Sequence, residues 1–201
     1  MLDFNFNKDY VLENERVLLR PLELNDFDHL IGFSLTEPEI WKYSLVQAGG
    51  ESGLKNYLQL ATEARKSEKE YPFIVFDKLT KQYAGSTRFY DIQLSNKCLQ
   101  LGYTWYGKEF QGTGLNKHCK ALLLQFAFDE MGMERVEFRA DNDNKRSIAA
   151  MKKIGCTIEG VLRSNGFKPD GSRRDSIVLS ILKKEWESEI KRILNSGILS
   201  S

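Results

Sequence analysis

The run "QGTGLNK", Gln111 to Lys117, sets Gly112 and Gly114 two positions apart, between an aromatic-rich stretch and a long apolar-periodic one. Glycine reaches backbone angles and close approaches that a Cβ forbids, so such a pair either eases a turn or bares backbone N–H groups to a ligand. A Walker-type phosphate loop needs a longer run between its glycines and then Gly-Lys-Ser/Thr, and the spacing here fails. A dinucleotide fingerprint needs a third glycine where Lys117 stands and a ribose-reading acid on the next strand, and it fails too. Two readings stay open. One is a bare glycine-eased turn; the other is a strand-to-helix junction whose unpaired first N–H groups attract phosphate.

Other residue types restrict the chemistry further. His29 and His118 are the only histidines, which excludes a His-rich metal site and leaves a Ser-His-Asp triad one of these two to use. Cys98, Cys119 and Cys156 are odd in number, far apart and set in apolar stretches. No pair has metal-ligand spacing, so free, mostly buried thiols in a reducing compartment are expected, with no metal site and no disulfide framework. Lys and Arg number 29 against 28 Asp and Glu, and a net charge of +1 argues against an autonomous nucleic-acid binder. The mixed-sign run "EARKSEKE" (Glu63 to Glu70) reads as the solvated end of a helix. The first twenty residues carry acids throughout and lack the apolar core of a signal peptide, and no apolar run is long enough to span a membrane. A cytoplasmic protein is expected.

The glycine run has to be held by the elements around it. The 201 residues suit one substantial core, and neither a repeat nor a linker divides them. "RVLLRPLE" reads as a strand stopped near Pro21, and "NDFDHLIGFSL" as a helix capped by Asn25 or Asp26. "SGLKNYLQLATEARKSEKE" reads as a second helix, with Leu54, Tyr57, Leu58 and Ala61 on its apolar stripe. Three strands, "YPFIVFDK", "QYAGSTRFYDIQ" and "CLQLGYTWYG", should pair antiparallel. The glycine run then opens an amphipathic helix carrying Leu115, Cys119, Leu122, Leu123 and Phe126 on one face and ending near Gly132. "RVEFRAD" should return as a strand parallel to "CLQLGYTWYG" by a right-handed crossover. A short helix follows, capped by Asp143 or Asn144 and stopped at Gly155. Two strands around "KPDGS" and a helix over about 183–196, with Gly197 just beyond it, complete the chain. The fold class is α/β (α+β), a single domain over 1–201.

These residues and their order resemble the GNAT superfamily of acyl-CoA-dependent N-acetyltransferases, in its RimJ/RimL-like branch. The family's pyrophosphate motif Q/R-x-x-G-x-G/A is met by Gln111 and Gly114, with Asn116 off-pattern at the last place. "NKRSIAAMKKIGC" resembles the family's N-x-x-S…K-x-G-F/A helix through Asn144, Ser147, Lys153 and Gly155. "ERVLLRPLELNDFDHL", "EGVLR" and "DGSRRDSIVLSILKKEW" resemble the opening, the late strands and the tail of this branch, so the likeness covers about 15–186.

The resemblance implies a mixed central sheet with splayed parallel strands flanked by helices, acetyl-CoA as cosubstrate, and direct attack by an amine in a ternary complex. It implies that the pantetheine arm adds to the strand edge at Thr104, Trp105 and Tyr106. Gln111, Gly112, Thr113, Gly114, Leu115 and Asn116 would meet the pyrophosphate, with Asn144 and Ser147 on the neighbouring helix and Lys117, Lys145 or Arg146 near the CoA phosphates. A backbone N–H near Trp105 or Tyr106 would polarise the thioester.

Many relatives protonate the leaving thiolate with a tyrosine where this chain has Met151, which leaves Ser147 and Tyr106 as the candidate acids. Glu109, Glu159 and Asp175 are the acids nearest the motifs. Glu109 is the candidate base, and Asp175 suits a structural hydrogen bond better. The acceptor is a primary amine, on a small molecule or a protein N-terminus, with specificity expected from 41–53 and 165–174. An α-amino group, with a pKa of about 7.7–8.0, asks less of a base than a lysine at about 10.4. No membrane or nucleic-acid partner is expected, and the apolar C-terminal helix with its "ILSS" end could dock on a second copy. A non-catalytic acyl-CoA binder and an α/β interaction domain without CoA are the competing readings.

Overall fold

The computed structural model describes the backbone of residues 3–199 and side chains through Ser196. Eight strands form one sheet: β1 (Leu12–Glu13), β2 (Val17–Pro21), β3 (Tyr71–Asp77), β4 (Gln82–Gln93), β5 (Cys98–Tyr106), β6 (Arg135–Asp141), β7 (Thr157–Phe167) and β8 (Arg173–Leu182), in the order β1-β2-β3-β4-β5-β6-β8-β7. The helices are α1 (Phe27–Thr36), α2 (Gly50–Lys66), α3 (Leu115–Gln125), α4 (Lys145–Lys153), α5 (Lys183–Glu185) and α6 (Lys191–Leu199). Wider π turns extend α3 over Phe126–Glu130 and join α5 to α6 over Trp186–Ile190.

Side chains alternate across the strands, so the sheet carries a helical layer on each face. On one face α1 and α2 bury Leu30, Leu54, Tyr57, Leu58 and Ala61 with Trp41, Ile74 and Trp105. On the other, α3 and the C-terminal helix bury Leu115, Cys119, Leu123, Trp186, Ile190 and Leu194 against Phe73, Phe89, Val136 and Phe138. Phe4, Phe6 and Tyr10, ahead of any expected element, join this second core beside Tyr71 and Phe126.

Every neighbouring pair of strands is antiparallel except β5 and β6, which run parallel as expected. Their pairing spans only Cys98–Gln100 against Arg135–Glu137, after which the strands part. A bulge contributes to the divergence. Ser86 faces Trp105 and Arg88 faces Gly102, so Thr87 alone opposes Tyr103 and Thr104, and Tyr103 takes a φ of 49°. An extra residue on one strand bends it, and β5 stays with β4 to Tyr106 while β6 stays with β8 to Asp141.

Several local expectations need correction. β1 is too short to show a period and was not foreseen. Asp26 does stand at the N-cap position of α1, as one alternative had it, but its side chain makes no capping bond to that helix. Asp26 lies inside the preceding turn, where its carboxylate accepts the Glu23 N–H at 2.8 Å and pairs with Arg20 at 2.5 Å. The "EARKSEKE" run is not wholly solvated. α2 ends at Lys66, and Glu70 turns inward to pair with buried Arg88 at 2.6 Å. The last helix does not stop before Gly197 but continues to Leu199. The side chains of "ILSS" lie outside the described residues.

Candidate active site

After Tyr106, a short turn over Lys108–Phe110 leads through Gln111 into the glycine loop and α3. Gly112 has a φ of 78° and Gly114 one of 88°, the left-handed region that side chains avoid, and a Cβ built at either meets no atom within 4 Å. The glycines are therefore set by backbone angle, and the space above them is open.

Among the described residues the N–H groups of Gly112, Thr113, Gly114 and Asn116 have no acceptor, and Leu115 N–H reaches only Thr113 Oγ1 at 3.4 Å. Lys117 and His118 N–H groups turn back to the Gly114 carbonyl, which leaves the loop's own donors facing outward at a helix N-terminus.

Gln111 fixes this loop to both neighbours. Its Nε2 donates to the Tyr106 carbonyl at 2.8 Å, and its Oε1 accepts from Arg146 Nη1 in the first turn of α4. Asn144 caps that helix, its Oδ1 accepting Ser147 N–H at 3.1 Å, as the Asn144 alternative required. Lys145 Nζ is bound to the Asn142 carbonyl at 2.7 Å. Ser147 is half-buried one turn before buried Met151.

The end of β5 presents a free edge. Gly107 N–H donates to the Ala84 carbonyl on β4, so by strand alternation the Tyr106 N–H and carbonyl face the other way, into the opening toward β6. The Gln111 bond to that carbonyl agrees. Of Trp105 and Tyr106, it is therefore the Tyr106 N–H that is presented to the opening. Its phenol is not: the hydroxyl lies beneath α3 and donates to Asn116 Oδ1 at 3.2 Å, and burial holds its pKa well above that of an ordinary tyrosine. Tyr106 and Asn116 thus lock the strand end to the helix start.

The remaining sequence candidates are dispersed. Glu109 is exposed in the turn before the loop. Glu159 is tied to Arg135 and to Ser180 Oγ, and the Arg135 bond holds its carboxyl below the usual range. Asp175 makes a structural bond, accepting Ser164 N–H at 2.7 Å. His118 contacts Asn14 and Glu15, while His29 stacks on Tyr83, so neither sits beside a serine nucleophile.

Two buried polar groups that sequence reasoning missed lie on opposite faces of the sheet beside β5. On the α3 side, Lys120 is buried and donates to Thr104 Oγ1 at 3.0 Å, and Thr104 shares a 2.8 Å bond with Thr87. On the α1/α2 side, buried Arg88 stacks between the Tyr57 and Tyr103 rings and gives Glu70 one nitrogen, which leaves Nε and Nη2 without partners among the described residues. The indole N–H groups of Trp41 and Trp105 nearby are buried and unpaired as well. The only sequence signal was a polar residue inside an apolar period: Lys120 on the buried stripe of α3, Arg88 between Thr87 and Phe89.

The acetyltransferase (GNAT) domain family model matches residues 16–157. The chain belongs to the GNAT acetyltransferase family. YdaF of Bacillus subtilis (strain 168), provisionally named a ribosomal N-acetyltransferase, is 33% identical over 105 residues, 52% of this chain and 56% of that protein. The match thus spans little more than half of that relative's length, and it supports the RimJ/RimL-like branch. A provisionally named acetyltransferase of T. thermophilus superposes with a TM-score of 0.83 at 30% identity, covering 98% of this chain and 100% of that one. The microcin C7 self-immunity acetyltransferase MccE, solved with acetyl-CoA and AMP, shares the fold at a TM-score of 0.74 and 24% identity over 84% of this chain and 93% of its own.

Proposed function

We propose that this acetyltransferase moves an acetyl group from acetyl-CoA to a primary amine by direct attack in a ternary complex. The observation that carries this is the row of unspent N–H donors at Gly112, Thr113, Gly114 and Asn116, beside a strand edge left open by the parting of β5 and β6. These residues fit a diphosphate: the donors are unspent at a helix N-terminus, and neither Gly112 nor Gly114 brings a Cβ into the open space beside them. Acetyl-CoA supplies an activated acyl group on a thiol that leaves readily near neutral pH.

The chain's own part is to hold and orient. Gln111 and Arg146 keep the loop in register with the strand end, and Leu115 anchors the start of α3 in the core. The free edge at Thr104–Tyr106 offers backbone groups to the pantetheine amides. The Tyr106 N–H is aimed to hydrogen-bond the thioester carbonyl, where charge develops during attack. Asn144 orders the first turn of α4 and so places Ser147, whose hydroxyl is a candidate donor on that helix. Tyr106 acts through its backbone. Glu109 lies at the surface and is retained only as a base working through water.

The acceptor enters from the α1/α2 side, where Trp41, Tyr57, Arg88 and Trp105 gather. The name of YdaF favours a protein N-terminus. An α-amine also needs the least help to lose its proton. Free-thiol release from acetyl-CoA across small amines, amino acids and N-terminal peptides tests this, with Gly114→Trp as the blocked control. Release from native protein and at least tenfold less from Gly114→Trp is the expected outcome. Equal release from both removes the glycine loop from the cofactor site, and coenzyme A-dependent thermal stabilisation without release on any amine leaves a binding protein.

A further inference from the structure

Lys120 lies in the second turn of α3 with its amine in the fork where β5 and β6 part. Nζ bonds Thr104 Oγ1 on β5 at 3.0 Å and stands 5.7 Å from the centre of the Phe138 ring on β6. Strand pairing ends at Gln100 and Glu137, so both contacts lie beyond it, inside the opening. The residue is 6% exposed. An ammonium has three donors, and among the described residues only one meets a protein acceptor.

The groups that face it are uncharged: Thr104, Phe138, Thr87 behind Thr104, Cys119 on its own helix and Cys156 beyond α4. Burial pushes both thiols up to about 12, so neither is an anion near neutrality. With no counter-ion among the described residues, burial lowers the Lys120 amine to about 8. A lone cation at such a place costs stability, and a methionine would fill the same space without that cost. Packing therefore does not explain the residue.

Building on the acetyl-transfer reading, we propose that Lys120 is the proton donor to the departing coenzyme A thiolate, supplying from α3 what Met151 lacks on α4. As the acceptor nitrogen bonds to the acyl carbon, the carbon–sulfur bond breaks with its electron pair on sulfur. The Lys120 ammonium gives that sulfur a proton and becomes a neutral amine. The proton shed by the acceptor nitrogen goes to water, and Lys120 regains one from solvent once the product has left. A donor near 8 suits a thiol near 8.5, because efficient proton transfer needs matched acidities. The direction follows from the face. Lys120 reaches the opening from α3, opposite the Arg88 and Trp105 side offered to the acceptor, so it serves the leaving group rather than the incoming amine.

The test compares native protein with Lys120→Met and Lys120→Arg. Coenzyme A affinity is measured by calorimetry, titration of the bound thiol by its thiolate ultraviolet absorbance, and acetyl transfer across pH. In the native protein the bound thiol should titrate below free coenzyme A, and transfer should decline as pH rises through about 8, the value to which burial brings Lys120. Lys120→Met should keep its fold and bind coenzyme A within a few-fold of native, yet lose the lowered thiol titration and the alkaline decline. It should be slower by about 100-fold, the low end for an assisting acid. Lys120→Arg should keep the lowered titration but remain slow, because a guanidinium does not release its proton. Identical thiol titration in native and Lys120→Met, or loss of the acidic limb instead of the alkaline one, overturns the role. Native protein that binds no coenzyme A overturns the transferase reading itself and this role with it.

Discussion

Gly85 has no room for a side chain. A Cβ there would stand 2.0 Å from the Trp105 carbonyl oxygen, which is backbone on the strand that carries the free edge. That closeness lets β4 grip β5 just past the bulge, so the glycine sets where the Tyr106 N–H is presented. Gly85→Ala should destabilise the fold by about 1–3 kcal/mol, as overpacking against backbone does. Because it shifts the edge, it should also lower transfer more than a surface substitution of equal stability cost; urea denaturation and thiol release read the two effects. Gly114 differs: nothing surrounds its absent Cβ, and its φ of 88° alone favours glycine.

At the scale of elements, three short pieces assemble the site: the end of β5, the N-terminus of α3 and the N-terminus of α4. Gln111 touches two of them and follows directly on the turn from the first. The cap of α4 is the most easily separated part. Asn144→Ala removes the acceptor of Ser147 N–H and should cost about 1 kcal/mol. Its larger effect should be on coenzyme A affinity, since loosening the first turn frees Arg146 from Gln111. Calorimetry should show weaker binding, and urea denaturation should show a midpoint lower by only about 0.5 M. The reading of α3 as an amphipathic helix from Leu115 was accurate because its period is strong, and the π turn after Gln125 was invisible because the same apolar residues serve either winding.

For the whole molecule, burying Lys120 couples stability to pH. Its folded-state pKa is lowered from 10.5 to about 8, so between those values the unfolded chain holds more protons than the folded one. Unfolding then takes up a proton and stability rises with pH across that window. The gain can reach about 3 kcal/mol if the full difference is realised. Lys120→Met should be the more stable protein below pH 8, and its advantage should shrink as pH climbs toward 10. Chemical denaturation of both proteins across that range checks this, and parallel curves would show that the amine is not desolvated. The N-terminal aromatics Phe4, Phe6 and Tyr10 make the second long-range contribution, closing the far core against Tyr71 and Phe126.

The strands, the helices and the glycine junction were legible because each depends on neighbours in sequence: alternation, a 3.6-residue period, Asn144 as a cap, glycines where a strand must turn into a helix. The parallel return of β6 was legible from the crossover rule. What the chain order left open was decided by contacts between distant residues. Asp26 kept the cap position of α1 but gave its carboxylate to Arg20 and the Glu23 N–H, and Glu70 left a seemingly solvated run to meet Arg88. The Tyr106 hydroxyl went beneath α3, and the Lys120 amine went into the fork. A local pattern assigns a residue to a face of its element, but only the packing of that face against another element fixes what its polar atoms meet, and so their charge and their chemistry.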